Sequence, residues 1–275
     1  MIPRSFRFNT RMPSLHDVLC LLALFFECVL HAESMPCRGT ATYRLQFQGE
    51  WKNSSSRPAG AQFTGFIGAV HNKCYQMWET GERASLGVKN VAEEGNTGEL
   101  QKEIEKLVKN RTTSLAVIHR HPLLPEGNSL VTESFQVHAI RPFISIIVKI
   151  SPSPDWFVGA YDVDLCNREN GKWLDVKDIF PVVPYDAGTD SGSYFTSAKR
   201  PSDPIRDISR IHGYALKPWT SQERELGLFH FYKESSSDQG SIGEFDSDEN
   251  FVCPSRAPKN YLSFVIVFLA ILCLF

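Results

Sequence analysis

Apolar and polar positions alternate strictly over Ala41–Gln48. Tyr43, Leu45 and Phe47 fall on one side, Thr42, Arg44, Gln46 and Gln48 on the other. A period of two puts successive side chains on opposite faces, so the segment predicts a half-buried strand. Phe143–Ile150 is β-branched and nearly continuously apolar, as suits a strand buried in a sandwich core. Leu115–Ile118 and Ser129–Ile140 read as strands separated by a Pro/Gly turn at Pro122–Gly127. Glu225–Lys233 alternates again, with Leu226, Leu228 and His230 set against Glu225, Phe229 and Phe231. Helical spacing occurs at Leu100–Lys109, where Leu100, Ile104, Leu107 and Val108 share a face and Thr97 offers a start. Lys52–Gly60 is a Ser/Pro/Gly-rich loop. The pattern predicts an all-β chain, an antiparallel β-sandwich with one or two short helices and no internal repeat.

Both ends depart from this pattern. Met1–Ala32 carries Arg4, Arg7 and Arg11, then an apolar run at Val18–Leu30 broken only by Glu27, then the small Ala32. That is the layout of a secretory signal peptide over 1–32. Tyr261–Phe275 is apolar; at about 1.5 Å per residue it is about 22 Å long, short of a ~30 Å hydrocarbon core. It reads as a GPI-attachment signal over 261–275, with a short retained membrane anchor as the alternative. The folded domain is expected over 33–233. An acidic Ser/Gly-rich stalk is expected over 234–260, beginning with the acid-rich, base-free Glu234–Asn250.

Composition then narrows the class. The chain has 275 residues, 42% of them hydrophobic, and a formal net charge of −2, with 29 Lys+Arg against 31 Asp+Glu. This balance argues against wholesale disorder and against a dedicated nucleic-acid binder. Of the seven cysteines, Cys20, Cys28 and Cys273 lie in the apolar ends. Cys37, Cys74, Cys166 and Cys253 remain, an even set that suggests two disulfides with three pairings open. Retaining Cys253 requires attachment at or after Ser255, which leaves a short spacer. Attachment at Ser247 discards Cys253. The sequons at Asn53 and Asn110 agree with secretion.

Candidate chemistry concentrates in Ser151–Ser197. Asp155 follows a Pro-rich turn, while Asp186 and Asp190 lie in a loop where Gly188 and Gly192 permit tight curvature. Three carboxylates converging at ~4 Å would repel by roughly 12 kcal/mol at an effective dielectric of ~20, so such a cluster requires a cation. Oxygen donors on loops suit calcium, the obvious hard cation outside the cell. Phe157 and Val158 beside Asp155 offer a small insertion tip for calcium-dependent membrane binding. Asp190-Ser-Gly imitates an aspartic-protease signature but has no second lobe to face. GxSxG, HExxH, Walker and GxGxxG motifs are missing, so no enzyme is expected. His119-Arg-His121 reads as two exposed histidines. Cys74 beside His71 reads as a disulfide cysteine rather than a nucleophile.

At ATYRLQFQGEW (Ala41–Trp51), FIGAVHNKCYQMW (Phe66–Trp78), PSPDWFVG (Pro152–Gly159), DLC (Asp164–Cys166) and PYDAGTDSG (Pro184–Gly192), the sequence resembles the spondin domain family of F-spondin and mindin. The resemblance spans about Cys37 to Lys233. It implies a C2-like antiparallel sandwich with a calcium site at Asp155, Asp186 and Asp190, and with Trp156 packed beneath the calcium loop. It also implies a Cys37–Cys166 disulfide, which leaves Cys74 and Cys253 as the second pair. The family's thrombospondin repeats have no counterpart here. The resemblance implies an extracellular adhesion or recognition module at the cell surface or matrix. Its partners would be a cell-surface receptor, a matrix glycoprotein or a glycan. The alternative is a calcium-dependent, peripheral membrane-binding C2-like module.

Overall fold

The computed structural model describes residues 35–50, 58–108, 113–119, 129–211 and 226–238. The signal region, Asn53, Asn110, His121, Cys253, the segment beyond 238 and the C-terminal tail lie outside them. In chain order the described elements are β1 (Thr40–Gly49), β2 (Gln62–His71), α1 (Leu86–Glu94), α2 (Gly98–Val108), β3 (Thr113–His119), β4 (Ser129–Val131), β5 (Phe135–His138), β6 (Phe143–Ser151), β7 (Trp156–Asp164), β8 (Cys166–Asn167), β9 (Lys172–Trp173), β10 (Val176–Ile179), β11 (Pro184–Asp186), β12 (Ser209–Arg210) and β13 (Gly227–Ser237).

The first sheet runs β10-β13-β1, and the far edge of β1 is shared by β5 and β4. The second runs β12-β11-β7-β6-β2-β3, and among the described residues the strand pairs of both sheets are antiparallel. Tyr43, Leu45 and Phe47 of β1 are fully buried between the sheets, as the alternation requires. They meet Phe63 and Phe66 of β2 and Ile144, Ile146, Val148 and Ile150 of β6. Phe47 stacks on Phe229 at 4.7 Å and meets Phe63 edge-on at 5.3 Å. The chain is therefore an all-β antiparallel sandwich, as the sequence predicts.

Three details differ from the sequence reading. First, β13 turns Phe229 and Phe231 inward, while Leu228 and His230 are only partly buried. Two aromatic rings bury more apolar area than a leucine and a histidine, so they take the core face. The strand also continues to Ser237, opposite Thr40, so Glu234–Ser237 is strand rather than stalk. Glu234 is held there by Arg44 at 2.6 Å and by the Ser134 hydroxyl. Second, Ser129–Ile140 is two strands. Between them Thr132 accepts the Leu45 N–H through Oγ1 at 3.0 Å and donates its own N–H to the Leu45 carbonyl.

The third difference is the placement of the helices: the two short helices expected from the sequence form a layer on the outer face of the second sheet. Val88, Val91 and Ala92 of α1 and Leu100 and Ile104 of α2 pack onto Ile67, Ala69, Ile147 and Phe157. This layer explains the continuous apolar run of β6: its even positions face the sandwich and its odd positions face the helices, so neither side meets water. α1 begins with Ser85 accepting the Val88 N–H and ends at Gly95, whose φ of 69° closes the helix in the left-handed region. Glu103 of α2 accepts from the Gly87 N–H and the Ser85 hydroxyl, both at 2.8 Å, and so ties the two helices together. Among the described residues no helix is long and apolar enough to cross a membrane.

Candidate metal centre

The pairing of β11 with β7 sets Asp186 beside Trp156, and so beside Asp155 at the mouth of β7. The loop after β11 then curls back over Asp155. Asp155 Oδ2 accepts the backbone N–H groups of Thr189 at 2.7 Å and Asp190 at 2.9 Å, and the Thr189 hydroxyl at 3.2 Å. Asp155 and Asp190 are buried and Asp186 is partly buried. The loop itself is shaped by Asx turns, with Asp186 accepting from the Gly188 N–H and Asp190 from the Gly192 N–H. Asp190 Oδ2 also accepts the Arg200 N–H at 2.7 Å.

The three sequence-predicted aspartates thus come to one end of the sandwich. They are not drawn into a closed ligand set: among the described residues no three His, Cys, Asp or Glu side chains stand in a metal-ligating arrangement. One oxygen is nevertheless left over. Asp155 Oδ1 is buried and has no hydrogen-bond partner. Burial, and after it the charge of Asp186, pushes the Asp155 carboxyl up to about 6. Burial also raises Asp186, while the Gly188 N–H and the charge of Arg206 pull it back. An uncompensated buried carboxylate oxygen among oxygen donors fits a hard cation and not a thiophilic metal.

Sequence reasoning missed four contributors. Thr189 holds Asp155 by two bonds. Arg206 donates to the Asp190 carbonyl at 3.1 Å and lies 3.9 Å from Asp186. Lys199 ties the loop to α1 through Glu93 at 3.0 Å and Glu94 at 3.3 Å. Lys149, on the helix-facing side of β6, donates to the Ala92 and Ser153 carbonyls at 2.7 and 3.1 Å. Burial pulls its ammonium down to about 8, against the favourable charges of Asp155, Glu93 and Asp190. A single lysine inside the apolar run Phe143–Ile150 was the one signal available for it.

Trp156 is buried, as expected, and meets Phe195 edge-on at 5.0 Å. The proposed insertion tip is corrected: Phe157 packs under the helices and Val158 in the sandwich core, each fully buried. Alternating positions at the start of a central strand point into its two cores and not outward, so these residues cannot enter a lipid surface. Cys37 and Cys166 form a disulfide. Cys74 is also disulfide-bonded, which removes it as a nucleophile. His71 is buried, with Nε2 at 2.8 Å from Ser145 Oγ.

An antiparallel β-sandwich with aspartates at one end and a disulfide at the other is the class defined by this architecture. The Spondin_N family matches residues 41–225, and the chain belongs to that family. It is 35% identical over 182 residues to Spondin-2 of Rattus norvegicus and 34% identical to Spondin-2 of Homo sapiens, covering 62% of this chain and 54% of each relative. It is 35% identical over 225 residues to Spondin-1 of Bos taurus, covering 79% of this chain and 27% of the relative. The chain therefore matches about half the length of Spondin-2 and about a quarter of Spondin-1. It is an extracellular protein. Its disulfide suits an oxidising compartment.

Proposed function

We propose that this chain is a non-enzymatic, calcium-binding recognition module that mediates adhesion at the cell surface or in the matrix. Its partner would be a cell-surface receptor, a matrix glycoprotein or a glycan. The observation that carries the calcium reading is the buried, partnerless Oδ1 of Asp155 beside Asp186. A calcium ion would neutralise these carboxylates and join the Asp155 turn to the Asp186–Asp190 loop. The chain's own residues prepare that end: Thr189 and the Asp190 N–H fix the Asp155 rotamer, and Arg206 and Lys199 hold the loop. The adhesion reading rests on family membership. The non-enzymatic reading rests on the burial of the His71–Ser145 pair and the oxidation of Cys74, which leave neither available to a substrate.

The test is thermal unfolding in calcium and in EDTA, for the native chain and Asp190→Ala. Calcium at 100 times its dissociation constant should add about 2.7 kcal/mol to the native chain, a shift of several degrees, and nothing to the variant. No calcium shift in the native chain overturns the metal reading. Cell attachment to the immobilised protein tests adhesion separately. Its absence with every cell type, from folded protein, would overturn that part.

A further inference from the structure

The other end of the sandwich carries a second feature. β7 leaves the aspartates at Trp156 and reaches Asp164 about 26 Å away at ~3.3 Å per residue. There the chain enters the disulfide Cys166 and the β8–β9 hairpin. A cleft of about 740 Å³ opens between this hairpin, the Met35–Arg38 segment and the end of β13. That volume falls within the ~300–1,000 Å³ typical of small-ligand sites.

The walls are fixed before any ligand arrives. The disulfide joins the segment to the hairpin. The Met35 N–H donates to the Arg168 carbonyl at 2.8 Å. The Trp173 indole donates to the Arg38 carbonyl at 2.9 Å. Lys233 donates to the Trp173 carbonyl at 3.1 Å. A preorganised cleft loses little entropy on binding.

The lining is rich in unspent donors. Lys233 is neutralised by Asp175 at 2.6 Å. Arg38 and Lys172 have no side-chain hydrogen-bond or ion-pair partner among the described residues, and Asp238 is the one remaining acid of the lining. Asn167 and Asn170 spend their carbonyl oxygens on the N–H groups of Glu169 and Lys172, so their NH₂ groups remain as donors. Two free cations and two amide donors around a compact cavity match a ligand with anionic groups and many oxygen acceptors on a small ring framework. An acidic peptide would be expected to follow an open strand edge rather than fill a cleft of this size.

We propose that this cleft binds an acidic saccharide, a uronate or sulfated sugar unit, with Arg38 and Lys172 as the anion-reading residues. The site lies away from the aspartates and deepens the adhesion reading by naming a glycan as one partner, without depending on calcium.

The test is calorimetric titration of the purified full-length protein with a chondroitin sulfate tetrasaccharide, in calcium and in EDTA. Chitotetraose serves as the neutral sugar and a poly-glutamate peptide as the acidic non-sugar. The sulfated sugar is expected to bind equally in both buffers, and the two controls weakly or not at all. Arg38→Gln/Lys172→Gln should lower its affinity about tenfold or more, because charge-assisted contacts are lost. The unfolding temperature should not change, since both side chains are exposed. Undiminished binding by the double variant, loss of binding in EDTA, or equal capture of either control each overturns the assignment. Failure of the calcium shift described above would leave this result standing.

Discussion

Replacing Asp155 by asparagine separates the cost of its charge from the value of its hydrogen bonds. A carboxyl raised from 3.8 to about 6 in the folded state corresponds to about 3 kcal/mol of destabilisation at pH 7 when no cation is bound. Asparagine removes that charge and keeps one carbonyl oxygen for the Thr189 and Asp190 N–H groups. Those bonds weaken once the acceptor is neutral, which offsets part of the gain. Asp155→Asn is therefore expected to be more stable than the native chain in EDTA at pH 7 by about 1–2 kcal/mol, or about 3–6 °C for a domain of this size. The sign with pH follows from the folded carboxyl lying above the unfolded one. The folded state holds the proton more tightly, so this group's contribution is most favourable below about pH 4 and is lost as pH rises through 6. Subtracting the variant from the native chain in EDTA should thus show native stability rising from pH 7 to pH 5. In calcium the same difference should reverse, because acid competes with the ion. Thermal unfolding followed by circular dichroism at four pH values, with and without EDTA, measures both. An Asp155→Asn chain more than about 1 kcal/mol less stable than native in EDTA, or a native-minus-variant difference flat with pH, would refute the reasoning.

Two further outcomes follow from the packing. The Cys37–Cys166 bond spans 129 positions, so Cys37→Ser/Cys166→Ser should cost about 5 kcal/mol by the chain-entropy relation, read as a lowered denaturant midpoint; an unchanged midpoint counts against it. At Gly159 an added Cβ would stand 2.3 Å from the Ile146 carbonyl oxygen and 2.7 Å from the Trp78 ring, whose indole donates to that same carbonyl. Gly159→Ala should destabilise by about 1–3 kcal/mol and alter the Trp78 fluorescence. Unchanged emission would mean that the neighbours yield more easily than the geometry allows.

Local pattern was enough wherever one face of a strand meets water. Ala41–Gln48 is legible because Arg44 and Gln46 must stay solvated while Tyr43, Leu45 and Phe47 must not. α2 was legible for the same reason. α1 carried its own signals, Ser85 before Val88, Val91 and Ala92 and Gly95 after them, but nine residues with a weak apolar stripe do not stand out. The aspartates were found by their loop glycines and by family resemblance. Thr189 and Arg206 were not, because a backbone N–H or a guanidinium that bonds across a loop leaves no periodic trace.

What the sequence determined alone was the class: strands by alternation, an oxidising compartment by its cysteines, and Asp155, Asp186 and Asp190 as the acids to watch. Tertiary structure decided which face of β13 is inside, that β6 is covered on both sides, and that Phe157 and Val158 are core. It also decided which carboxylate oxygen is left without a partner, and that a donor-lined cleft opens beside the disulfide. The physical reason is range. Periodicity and turn chemistry act between near neighbours in the chain, and one sequence encodes them directly. Burial, desolvation and the satisfaction of a polar atom depend on what packs against it from a hundred residues away.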